Sequence, residues 1–188
     1  MVSNEDATYV RQLFPEIREI KDKALAQKVV EIWAETWHAS PWAKIEDVPK
    51  NPNVGDRKLV PHVRATTLEA LAVARIIQEI HGIPTDLDLL TAGALLHDVC
   101  KMVEYGPTAS GAGKTRLGEL VQHGVYSAAK VVEKGLSPEL VHMMVSHTTG
   151  SNKPPATLEC AILHYVDYAD SDVLLAAANK PLLAETRR

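Results

Sequence analysis

Residues 93–101 read Gly-Ala-Leu-Leu-His-Asp-Val-Cys-Lys. A histidine and a carboxylate therefore sit side by side within an apolar, helix-forming run. Burying an unpaired Asp98 beside Leu95, Leu96 and Val99 costs roughly several kcal/mol. A fold that keeps this pair must compensate the charge, and a metal ion does so well. Successive helical side chains point about 100° apart, so His97 and Asp98 reach one ion only where it lies between helices.

The rest of the chain favours helices. Ile17, Ile20, Ala24, Val29, Ile32 and Trp33 follow a helical period. They predict a helix over Glu16–His38, with Pro15 at its first turn and a shorter helix before it. Ser40–Pro61 holds Pro41, Pro49, Pro52, Pro61 and Gly55 and no periodic pattern, so it reads as a long loop. After Pro61, Leu68, Leu71, Val73, Ile76, Ile77 and Ile80 form a helix ended by Gly82 and Pro84. Asp86 or Asp88 caps the next, which carries Leu89, Leu90, Ala94, Leu95 and Val99. A Gly-rich loop over Tyr105–Thr115 precedes a helix from about Gly118 to Glu133. Ser137-Pro138-Glu139 starts a helix leading to His147, Gly150–Pro155 is a turn, and Thr157 starts a long final helix through Asp167 towards Leu175. Sustained apolar/polar alternation is absent, which predicts an all-α bundle. Residues 1–58 are expected to form a helical appendage and loop, and 59–188 the main domain.

At 188 residues the chain can bury a core without disulfides, and Cys100 and Cys160 are too few and too far apart for a disulfide framework. They read as buried, reduced thiols. A net charge of −4 gives no sign of a general nucleic-acid binder. No apolar run approaches the roughly 18 residues of a membrane span, and the N-terminal residues Glu5 and Asp6 do not suit a signal peptide. A cytoplasmic location is expected. The Glu16–His38 helix packs on the main domain or on a second copy in a homodimer.

Eight histidines are present. His62 opens the helix before the His-Asp pair, and Asp167 lies in the final helix, within Leu163-His-Tyr-Val-Asp-Tyr-Ala-Asp170. Imidazole and carboxylate donors together suit zinc, manganese, iron, nickel or magnesium. The order His62, His97-Asp98, Asp167, with Leu95-Leu-His-Asp-Val-Cys-Lys101, resembles the signature of the HD-domain superfamily of metal-dependent phosphohydrolases. The likeness covers roughly Leu59–Leu175. It implies a helical HD bundle with an N-terminal accessory helix. His123, in Leu120-Val-Gln-His-Gly, and His147, in Val145-Ser-His-Thr-Thr-Gly150, resemble the extra ligands of the dinuclear branch.

The resemblance implies two divalent ions, of iron, manganese, zinc, nickel or cobalt. His62, His97, Asp98 and Asp167 would hold one, His123 and His147 the other, and Asp98 would bridge. Lys101 would hold the substrate phosphate and Asp98 orient the attacking water. Thr148 and Thr149 could line the pocket, and Lys114 and Arg116 could meet an anionic substrate from the Gly-rich loop. No metal role is expected for His38, His81, His142 or His164. The expected reaction is hydrolysis of a phosphate mono- or diester of a nucleotide or small phosphorylated metabolite. Parts of the sequence resemble HD enzymes that split diadenosine tetraphosphate, and others HD nucleases. The acidic balance argues against nucleic acid as a partner. The same ligand list also fits HD-type mixed-valence di-iron oxygenases, a one-zinc hydratase, or a metal-binding sensor without turnover. Ser110-Gly-Ala-Gly-Lys-Thr115 imitates the end of a P-loop. Thr108 stands where its first glycine would be, and a helix rather than a strand precedes it.

Overall fold

The computed structural model describes residues 2–52, 57–148 and 153–185. The order of regular elements is α1 (Asn4–Leu13), a 3-10 turn (Pro15–Glu19), α2 (Lys23–His38), a second 3-10 turn (Ile45–Asp47), α3 (Leu59–His81), α4 (Leu87–Leu96) and α5 (Lys101–Glu104). Then come β1 (Tyr105–Thr108), β2 (Gly111–Lys114), α6 (Arg116–Leu120), α7 (His123–Glu133), α8 (Pro138–Ser146) and α9 (Leu158–Ala177). The fold is the expected all-α bundle with one small hairpin added.

α4 is the central element. Leu90 through Leu96 are all buried, and α2, α3, α8 and α9 pack around the helix. Asp86 caps it by accepting the Leu89 N–H at 2.9 Å. A helix apolar on every side belongs in the middle of a bundle, so whatever follows Leu96 is delivered to the interior. The N-terminal helices share this core: Val10, Phe14, Ile17 and Trp33 are fully or almost fully buried within it. The Trp33 ring lies against Phe14 at 4.2 Å, and its indole N–H donates to the Leu95 carbonyl at 2.9 Å.

Four segments depart from the sequence expectation. α4 ends at Leu96, short of Val99, so His97 caps it and Asp98 lies in the turn that follows. The predicted Glu16–His38 helix is broken into a 3-10 turn and α2. The break forms because the Asp88 carboxylate accepts both the Lys21 N–H (2.9 Å) and the Asp22 N–H (2.7 Å), while Asp22 caps α2. Tyr105–Thr115 is not a plain loop but mostly an antiparallel hairpin, pairing Tyr105 with Lys114 and Thr108 with Gly111. Gly111 takes φ +132°, a value that L side chains rarely adopt. The predicted Gly118–Glu133 helix is two, with Val121 extended between them so that His123 opens α7.

Other ends are as expected. α3 stops at Gly82 with φ 67°, although it starts at Leu59, before Pro61. Ser137 and Thr157 cap α8 and α9. Thr149 and most of the predicted Gly150–Pro155 turn lie outside the described residues.

Candidate metal centre

Four histidines and two aspartates converge between α3, the end of α4, the start of α7, the end of α8 and the middle of α9. His62 Nε2 lies 3.2 Å from Asp98 Oδ2 and 3.2 Å from Asp167 Oδ1. His97 Nε2 is 3.3 Å from His62 Nε2. On the other side of Asp98, His123 Nε2 approaches Oδ1 to 3.1 Å and His147 Nε2 to 3.7 Å. The two histidine nitrogens there are 3.4 Å apart. Two groups, His62–His97–Asp98 and Asp98–His123–His147, each have donor atoms close enough to share one ion, and Asp98 belongs to both.

The outer nitrogens explain how the inner ones are aimed. His97 Nδ1 donates to the Ala94 carbonyl at 2.6 Å, and His147 Nδ1 to the Met144 carbonyl at 2.8 Å. His62 Nδ1 meets Asp170 Oδ2 at 2.7 Å, and His123 Nδ1 meets Glu104 Oε2 at 2.7 Å. A neutral imidazole with its proton on Nδ1 presents a lone pair at Nε2. Lone pairs of four rings thus face one another and two carboxylates. Asp98 Oδ1, fully buried, has no hydrogen-bond partner. Such an arrangement is repulsive until a cation sits in it, and oriented imidazoles beside a bridging carboxylate are the donor set that divalent transition metals take. The residues fit a metal.

The electrostatics agree. Complete burial works to raise the Asp98 pKa, yet Lys101 and His97 outweigh it and hold the carboxyl well below its usual range. Asp167 is likewise buried and held low by His62. Glu104 is lowered too, with His123 overcoming burial. All stay ionised and able to accept. With only protons to balance these anions, His62 is pushed up to about 9 against its burial by Asp167, Asp170 and Asp98. Burial moves His147 the opposite way.

The remaining predicted residues are distributed unevenly. Lys101 Nζ lies 2.5 Å from Asp98 Oδ2, at the centre. Lys114 is half-exposed, 3.5 Å from Glu104 Oε1. Arg116 faces solvent and pairs with Glu119 at 3.0 Å. Thr148 is half-buried and follows His147. His38 pairs with Asp6, His142 accepts the Ala156 N–H, and His164 packs on Tyr165 and Tyr168.

The sequence reading missed three supporting side chains. Asp170 and Glu104 orient His62 and His123. Their signal was a carboxylate within a mostly apolar helix: Asp170 stands three residues after Asp167, and Glu104 ends α5. Lys50 reaches the same cluster from the loop before α3. No periodicity there pointed to it.

Comparison with known proteins places this geometry. The family model described as HD domain matches residues 65–172. The chain belongs to the HD domain family. The match begins three residues after His62, so this HD domain takes one converging side chain from just outside the matched span. The chain is 28% identical over 165 residues to the dihydroneopterin 2',3'-cyclic phosphate phosphodiesterase of Methanocaldococcus jannaschii, covering 82% of this chain and 66% of that protein. It is 41% identical over 96 residues to the 3'-5' exoribonuclease YhaM of Geobacillus sp., covering 45% of this chain and 29% of that protein. YhaM of Bacillus velezensis is 32% identical over 118 residues, 56% of this chain and 37% of that one. The HD domain chain thus spans just under two thirds of the archaeal relative and about a third of the exoribonucleases. No solved structure matches it significantly.

Proposed function

We propose that this chain is a metal-dependent phosphohydrolase that cleaves a phosphate mono- or diester of a nucleotide or small phosphorylated metabolite at a centre of two divalent ions. The observation that carries the reading is Asp98: one buried carboxylate shared by two histidine groups, with an unsatisfied oxygen between them. The archaeal relative aligns with most of this chain and its name is that of a cyclic phosphodiesterase, which supports a small phosphodiester as substrate.

In this reading His62, His97, Asp98 and Asp167 hold one ion, and Asp98, His123 and His147 the other. Bound divalent ions polarise phosphate oxygens and acidify a water at neutral pH. Asp98 would also orient the attacking water. Lys101, beside Asp98, offsets charge that develops on the phosphate. Lys114, Arg116 and Thr148 are the outer residues that meet the substrate. Asp170 and Glu104 keep two imidazoles in the tautomer that ligation needs.

The test is metal analysis of protein purified without chelator, followed by hydrolysis of bis-p-nitrophenyl phosphate, p-nitrophenyl phosphate and 2',3'- and 3',5'-cyclic nucleotides. Turnover lost in Asp98→Ala is expected. Full activity in Asp98→Ala, or no turnover of any ester by the metal-replete protein, overturns the reading. Iron with substrate-dependent oxygen uptake would replace it by oxidative chemistry.

A further inference from the structure

Lys50 is a cation buried at the edge of the centre, and it comes from outside the span that the family model matches. Its loop is tied at the base. The Lys50 N–H donates to the Arg57 carbonyl at 2.8 Å, and the Leu59 N–H donates to the Val48 carbonyl at 2.9 Å. Pro49 and Lys58 pair across it. These bonds hold the backbone at Lys50, and its side chain runs from there towards α9. Its Nζ lies 2.5 Å from Ser171 Oγ, 3.6 Å from Asp170 Oδ2 and 3.8 Å from Asp167 Oδ1.

Across the cluster, Lys101 Nζ lies 2.5 Å from Asp98 Oδ2. Two ammonium groups therefore flank the His62–Asp98–Asp167 group: Lys101 sits on an Asp98 oxygen, and Lys50 lies between Asp167, a proposed ligand, and Asp170, which orients His62. A divalent ion drawing on Asp98 and Asp167 takes countercharge from both lysines. It leaves positive charge at two points beside itself, in a poorly solvated place. Phosphate oxygens complement that arrangement. Access exists as well. A small cleft of about 50 Å³, lined by Lys50, Asn51, Arg57, Ser171, Leu175 and Leu183, opens beside the lysine.

Building on the proposed phosphohydrolase reading, we propose that Lys50 is a second phosphate-holding residue, anchored by Ser171 and gripping an anionic oxygen of the substrate from the side away from Lys101. It requires a bound metal, because a cation drawing on Asp167 leaves Lys50 with only Asp170 as its carboxylate partner. The ligand class is a phosphate ester or its phosphate product.

The test is calorimetric titration of inorganic phosphate into manganese-reconstituted protein, with metal content measured on the same samples. Lys50→Met removes one charge-assisted bond and should weaken phosphate binding roughly 10- to 100-fold at unchanged metal content. Metal-free wild type should bind phosphate at least about ten-fold more weakly than the reconstituted protein. Ser171→Ala, which keeps the lysine but removes its anchor, should weaken binding a few-fold, and it decides the matter if Lys50→Met does not fold. Phosphate affinity unchanged in both variants overturns the proposal. So does loss of metal from Lys50→Met, which would make the lysine a support for the ligand carboxylates. If reconstituted wild type neither binds phosphate nor hydrolyses any ester, the phosphohydrolase reading itself fails. Wild type that does both, with Lys50→Met unaffected, removes Lys50 alone.

Discussion

The rings of His97 and His147 stand 5.1 Å apart with their planes at 74°, and the two are built alike. Each is the residue that ends a helix, α4 for His97 and α8 for His147. Each bonds through Nδ1 to the carbonyl three residues back, Ala94 and Met144. Each therefore aims Nε2 inward using only its own turn. Yet they fall in different candidate metal groups, which among the described residues share Asp98. His97→Ala and His147→Ala should each lower bound metal to roughly half, whereas Asp98→Ala should empty both positions. Metal content per chain by mass spectrometry, with circular dichroism as a folding control, checks this. Equal and complete loss in all three would argue for one position.

Asp170 and Glu104 hold the other two imidazoles from behind. Partners of this kind typically contribute about 10–100-fold in metal affinity. Asp170→Asn and Glu104→Gln keep the shape and lose the anion, so each should weaken metal binding by about that factor without unfolding the bundle. Competition with a chromogenic chelator measures it. An unchanged affinity would mean that the His62 and His123 tautomers are fixed without these carboxylates.

Glycines near the centre differ in what lies against them. A Cβ at Gly124 would stand 2.6 Å from the Met144 carbonyl oxygen, the acceptor that aims His147. A Cβ at Gly93 would meet the end of the Met143 side chain at 2.1 Å, which can swing away. Gly124→Ala should therefore cost about 1–3 kcal/mol and reduce metal at the His123–His147 position. Gly93→Ala should leave metal content unchanged. Denaturant titration together with metal analysis separates the two effects.

The centre was legible because it violates a rule. His97 and Asp98 directly follow the wholly buried α4, and Asp167 sits within α9, so polar groups are delivered to an apolar interior and need partners. Helix ends with local chemistry, at Ser137, Thr157 and Gly82, were equally plain. What escaped was decided by groups remote in sequence. The break before α2 depends on Asp88, more than sixty residues later. The hairpin has strands of only four residues rich in glycine and proline, too short and too irregular for alternation to appear. Its position is fixed by the Trp42 indole N–H donating to the Tyr105 carbonyl at 2.9 Å. The split between α6 and α7 goes with His123 turning towards Asp98 and Glu104. Lys50 sits in a segment without regular pattern.

Trp33 links the N-terminal helices to α4. Replacing it with phenylalanine removes the donor to the Leu95 carbonyl and leaves that buried oxygen unpaired. Trp33→Phe should cost about 1–3 kcal/mol, and Trp33→Ala about 3–5 kcal/mol. Urea denaturation gives both. A neutral Trp33→Phe would show that water reaches Leu95.

Burial pushes the Cys100 thiol up to about 12. A thiol whose pKa is raised on folding keeps its proton longer in the native state than in the unfolded chain. Its contribution to stability is complete below pH 9 and is lost as pH rises through about 12. Wild type should therefore lose stability over that window, and Cys100→Ala should lose less. Melting temperatures from pH 8 upwards test the sign. At pH 8 the native thiol should also react with a thiol reagent far more slowly than the unfolded chain does.

The bond from His62 to Asp170 joins residues 108 positions apart, and its consequence concerns order in time. Asp167 and Asp170 come into place only when α9 docks, so the metal position proposed at His62 would be assembled by a long-range step in the folding of this bundle. Long-range closure is the slow part of a folding reaction. Tight metal uptake at His62 should therefore lag behind helix formation in a refolding experiment, which would make the ion a clock for the moment the chain becomes native.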